Sequence, residues 1–226
     1  MVYSSQDNIV TLTIDDGKVN VIGIPFLDEL NAGLERALAD RAGAVIIKGR
    51  DKVFSSGFDL NEIRQGRSRA SELWRKGFET LVRVYGYPLP LIAACTGHAI
   101  AVGALLVMAC DRRVGSDGNF RFRIPEASLG MEVPPVMMEL LRARISPLHL
   151  TRVVLQSEIY NPQNAVQAGF IDEVVEIEDL HARTTTLAKE LALLPKSQYA
   201  ANKQILRAQT LESMRKDIKR LTRFWG

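Results

Sequence analysis

The strongest constraint in this chain is residues 91–110, LIAACTGHAIAVGALLVMAC, which contain no formally charged side chain. A run of that length can cross a bilayer. Thr96-Gly97-His98 interrupts it near the start, however, and Gly103 and several alanines dilute the rest. Leu91 to Cys95 has the short, wholly apolar character of a parallel strand covered on both faces. Gly103 to Cys110 reads as a buried helix opening at a glycine. A membrane span here would leave the rest of the chain without part of its core. A buried strand, a turn and a buried helix are therefore expected, at the centre of an α/β domain.

The flanking pattern agrees. Asn8 to Asp15 alternates like a strand, Val19 to Ile22 is extended, and Ala44 to Gly49 is a compact buried strand. Arg112 to Gly115, Phe120 to Ile124 and Asp172 to Ile177 are strand-like as well. Helical spacing follows Pro25 and recurs over Ser71 to Tyr85, where Leu73, Trp74, Phe78 and Leu81 form an apolar stripe. From Pro134 the chain is mostly helical, with Asn161 as an expected N-cap and a final helix after Pro195. Strands and helices alternate first, then helices predominate. The expected organisation is an α/β core over residues 1–195 and a helical extension over 196–226.

Charge excludes some functions. The net charge is +3 on 226 residues, too small for the chain-wide basic field of a nucleic-acid-binding protein. It is uneven, since residues 196–226 carry eight basic side chains against Glu212 and Asp217. A solvated helix face is the preferred reading of that excess; a site for an anionic tail and a subunit contact are the alternatives. Aromatic interleaving is confined to Phe224 and Trp225. Cys95 and Cys110 lie in apolar surroundings, and the histidines at 98, 149 and 181 are far apart, so neither a disulfide framework nor a metal site is signalled. The start, MVYSSQDNIVTL, lacks the pattern of a secretory signal, and a reduced, cytoplasmic protein is expected.

Ligands of α/β sheets bind outside the carboxyl ends of strands. Two irregular segments stand at such ends: Val53-Phe54-Ser55-Ser56-Gly57-Phe58-Asp59-Leu60, and Thr96 to Ala104 with Gly97 and Gly103. Neither is followed by the Gly-Lys-Ser/Thr of a phosphate loop. One backbone N–H from each, converging, would make an oxyanion hole for a carbonyl that becomes an enolate. Asp59 is placed to cap a helix, with Glu62 completing a capping-box-like pair.

FSSGFDL, then GHAIAVGALLVMACDRRVG, then RIPEASLGMEVPP resemble successive signatures of the crotonase family, the enoyl-CoA hydratases and isomerases. The likeness extends from Lys18-Val19-Asn20 to Gly169-Phe170-Ile171-Asp172. It implies a spiral of ββα units, a helical C-terminal part used in trimerisation, and acyl-CoA thioester substrates with no cofactor beyond their coenzyme A. A homotrimer or a dimer of trimers is implied, without nucleic-acid or membrane partners. The two oxyanion donors map onto the amides of Phe58 and Val102. Substrate contacts are implied around Lys18, Val19, Phe54, Ser56, Gly57, Asp59, Gly103 and Leu105.

Family hydratases hold water between two glutamates. Here the first position is Leu105 and the second is Glu126. Hydration needs a proton taken from water and another delivered to carbon, so losing one carboxylate weakens that assignment. One carboxylate suffices to move a proton from C2 to C4 of a 3-enoyl thioester, and an apolar wall makes it a stronger base. Glu126 is thus the expected acid/base of a Δ3 to Δ2 isomerase. A weak hydratase and a non-catalytic acyl-CoA-binding protein are the alternatives. Glu132, Glu139 and His98 are not expected to carry protons, and Asp111 is expected to be structural.

Overall fold

The computed structural model describes the backbone of residues 1–225 and the side chains of residues 1–220. A hairpin of β1 (Val2–Gln6) and β2 (Ile9–Thr13) leads through β3 (Val21–Ile22) into α1 (Ile24–Ala39). Then come β4 (Ala44–Lys48), β5 (Lys52–Ser55), β6 (Gly57–Phe58), α2 (Leu60–Ile63) and α3 (Arg67–Tyr85). The uncharged run folds as β7 (Leu91–Cys95), β8 (Gly97–Ile100) and α4 (Val102–Ala109). β9 (Arg112–Ser116), β10 (Phe122–Arg123) and a 3-10 turn (Glu126–Leu129) follow. The remainder is α5 (Pro135–Arg144), α6 (Pro147–Leu155), α7 (Pro162–Ala168), β11 (Glu173–Val175), α8 (Leu180–Ala192) and α9 (Lys196–Trp225).

Six strands form the main sheet in the order β1-β2-β4-β7-β9-β11, parallel except for the β1–β2 hairpin. β7 is apolar throughout, and β4 is apolar up to its last residue, Lys48, because both faces are covered. Val45, Ile47, Leu91, Ala93 and Cys95 point into the principal core, and Ala44, Ile46, Ile92 and Ala94 pack under Leu180, Leu187 and Ala188 of α8. No helix among the described residues is long and apolar enough to cross a membrane. The expected turn at 96–104 is instead the strand β8, between β5 and β10, followed by the start of α4.

The expectation of a solvated basic face on the extension fails at two positions. Lys203 and Arg207 of α9 are buried and converge on Asp111, with Lys203 Nζ 2.6 Å from Oδ2 and an Arg207 guanidinium nitrogen 2.8 Å from Oδ1. Lys203 also donates to the carbonyls of Tyr87 and Leu89, Arg207 donates to that of Tyr85, and Asp111 accepts from the Leu91 amide. Charges out of water persist only when paired, and here Asp111 Oδ2 takes the Lys203 hydrogen bond while Oδ1 is met by the Arg207 ion pair, fastening α9 to the segment between α3 and β7. Asp111 is structural, as expected. The side chains of Arg223, Phe224 and Trp225 lie outside the described residues.

Candidate active site

A three-stranded parallel sheet, β10-β8-β5, sits beside the main one. Its strands run in one direction, so all three leave it at the same edge. Phe58 follows β5, Val102 follows β8 and Glu126 follows β10, each within three residues of the strand's end. All three line one cavity of about 920 Å³, together with Val19, Ser56 and Asp59.

The two glycine segments touch directly. A Cβ on Gly57, whose φ is +100°, would lie 3.1 Å from Ala101 Cβ and 3.8 Å from the Val102 amide nitrogen. One on Gly103 would lie 2.6 Å from the Ser55 carbonyl oxygen. Only bare backbone allows that approach. The ladder between β6 and β3 uses the amides of Ser56 and Asp59, on either side of the Gly57-Phe58 pair. Val102 opens α4, and the first amides of a helix have no partner within it and sit at its positive end. Ala101, just before it, holds φ 52° and ψ −129°, a conformation that side chains oppose.

Glu126 begins the 3-10 turn behind Pro125 and is 7% exposed. Its Oε2 is buried without a hydrogen-bond partner. Burial raises its carboxyl pKa, partly offset by its own backbone amide. Desolvation of this kind makes a carboxylate a stronger base.

Other residues take different places. Phe54, Gly57, Gly103 and Leu105 are buried behind the wall, not on it: Phe54 and Leu105 belong to the principal core, and the glycines close the contact between segments. Lys18 is exposed on the loop before β3, outside the cavity lining. Asp59 caps α2 by accepting from the Asn61 amide at 2.8 Å. Glu62 does not complete a capping box; it accepts from the Ile24 amide at 2.9 Å and pairs with Arg69. His98 accepts the Arg121 amide through Nδ1 and packs edge-on against Phe120, so it braces its strand. Trp74 and Phe78 from the apolar stripe of α3 line the cavity. The segment 129–137, including Glu132, forms a further wall that the sequence reading had not assigned to the site. Its signals were Leu129 and Met131, apolar side chains in a turn that stay exposed at 65% and 52%.

The fold is of the crotonase type, and the comparisons bear this out. A sequence model described as enoyl-CoA hydratase/isomerase matches residues 4–222. The chain belongs to the enoyl-CoA hydratase/isomerase family. The crystal structure of an enoyl-CoA hydratase from Mycobacterium marinum superposes with a TM-score of 0.94 at 35% identity, covering 100% of this chain and 99% of that one. A Mycobacterium tuberculosis protein, described as an enoyl-CoA isomerase in one structure and as a probable enoyl-CoA hydratase in another, gives 0.93 at 34% identity over 98% and 96% in the first. The rat mitochondrial enoyl-CoA delta isomerase 1 is 27% identical over 97% of this chain and 78% of its own length. The relatives thus include both reaction types.

Proposed function

We propose that the chain is an enoyl-CoA isomerase that shifts a Δ3 double bond to Δ2. The Glu126 carboxylate takes a proton from C2 of the 3-enoyl thioester. The electron pair moves onto the thioester oxygen as a dienolate, held by the Phe58 and Val102 amides. Protonated Glu126 then returns the proton at C4, giving the conjugated 2-enoyl thioester with no co-reactant beyond the substrate. The observation that carries this reading is the unpartnered, buried Oε2 of Glu126 in an otherwise mainly apolar cavity. Leu105, fully buried, supplies no second carboxylate at the position where a hydratase would need one.

One observation favours a hydratase as the second reading: Glu132 lines the same cavity and could share a water with Glu126. The two readings separate when 3-enoyl-CoA and 2-enoyl-CoA are supplied singly and the conjugated thioester is followed. An isomerase forms it from the first and leaves the second intact. Rapid hydration of the second that survives Glu126→Gln would overturn the assignment, and tight acyl-CoA binding without turnover of either would mark a binding protein. The family resemblance also supports a homotrimer or dimer of trimers, and Leu148 and Leu155 on α6 are exposed apolar side chains available to such an interface.

A further inference from the structure

Gly77 lies in the middle of the 19-residue helix α3, where glycine costs on the order of 1 kcal/mol relative to alanine. It is buried, and its φ is not in the left-handed region, so the backbone does not require it. Its neighbour supplies the reason. A Cβ at Gly77 would lie 2.4 Å from Cε1 and 2.5 Å from Cζ of Phe58. The missing side chain leaves a notch in α3 that receives the tip of the Phe58 ring. The next residue, Phe78, meets the same ring edge-on, with centroids 5.9 Å apart.

Phe58 also carries one of the two amides assigned above to the thioester oxygen, so its ring starts beside the reacting carbons. Phe58, Phe78 and Trp74 all line the cavity, and the tip of the Phe58 ring lies in the notch. We infer that Gly77 is a specificity-determining residue, whose notch parks the Phe58 ring out of the path of the acyl chain and so admits long apolar acyl groups. This rests on the acyl-CoA reading of the cavity but not on the isomerase chemistry.

Alanine at 77 leaves the ring only one cheap response, because its tip can swing while the backbone at Gly57-Phe58 is held against residues 100–102. The swing goes into the cavity. A short acyl chain ends before the obstruction and a long one does not.

The test measures binding of saturated butyryl-CoA and decanoyl-CoA by calorimetry, in the wild type, Gly77→Ala, Phe58→Leu and the double variant. Gly77→Ala is expected to weaken decanoyl-CoA binding about tenfold or more while changing butyryl-CoA binding less than about threefold. In the Phe58→Leu background, which lacks the ring tip, the same glycine change is expected to alter neither ligand by more than about twofold. Equal loss for both acyl lengths, or the same loss in both backgrounds, overturns the inference. Because no turnover is needed, these outcomes stand apart from the isomerase assay. Absence of binding of either thioester by the wild type would instead overturn the acyl-CoA reading itself.

Discussion

Gly57 and Val102 face each other across the junction of two chain segments, so that a single added carbon on Gly57 would stand 3.8 Å from the Val102 nitrogen and 3.1 Å from Ala101 Cβ. Gly57→Ala adds that carbon at a φ of +100°, where an L side chain is strained. The expected result is a stability loss of about 1–3 kcal/mol in denaturant unfolding. A fall in kcat of about 10²-fold or more on 3-enoyl-CoA should accompany it, because the donors at 58 and 102 are moved apart.

Glu126→Gln keeps the shape and removes the base. Isomerisation is expected to fall by about 10²–10⁴-fold. The raised pKa of Glu126 in the folded protein places the acid limb of the wild-type kcat/KM profile above the ordinary carboxylate range. A limb at the ordinary value would contradict the burial.

The same substitution has a stability signature. The folded protein holds the Glu126 proton more tightly than the unfolded chain, so this group's contribution is fully present below the unfolded pKa and is lost as pH rises through the folded one. Glu126→Gln is therefore expected to melt higher than the wild type at pH 7. The difference should close on acidification below the ordinary carboxylate range, and melting curves across pH check both limbs.

Asp111→Ala leaves Lys203 and Arg207 buried without their counter-charge. A loss of about 3–5 kcal/mol is expected from chemical denaturation. Hydrogen exchange should show the largest change in protection along α9 and the start of β7. Lys203→Met is expected to cost less, since Arg207 still neutralises the carboxylate.

Ala101→Gly relieves the conformation at φ 52°, ψ −129°. The relief outweighs the added freedom of the unfolded chain, so a net gain of about 1 kcal/mol is expected, with activity retained. Ala101→Val is expected to lose both.

Most of the fold was legible because each element announces itself locally. β7 is an unbroken apolar run and β4 one up to Lys48, α1 has Pro25 in its first turn, and the Asn161 side chain accepts the Asn164 amide as an N-cap should. β1 was not legible: it is an edge strand of mainly exposed residues, VYSSQ, and its place depends on pairing with β2 through a turn in which Asp7 and Asn8 both take positive φ. At the site, Phe58, Val102 and Glu126 were reached through motif order and family resemblance, and they line one cavity. Phe54 was misplaced because spacing along the chain does not say which way a strand residue points. The burial of Lys203 and Arg207 was invisible because their partner, Asp111, lies about ninety residues earlier, and no local pattern encodes that meeting.

The little sheet β10-β8-β5 separates two duties that are often entangled in enzymes. Backbone pairing among its strands sets the spacing of the two amide-bearing segments, and amides are the same in every residue but proline. Glu126, the proposed proton carrier, is an ordinary side chain in the turn just after the third strand. Such a scaffold can exchange its reagent, gaining or losing carboxylates at 105, 126 or 132, without rebuilding the proposed trap for negative oxygen. One frame could in this way serve several reactions, each decided by a handful of side chains around an unaltered frame.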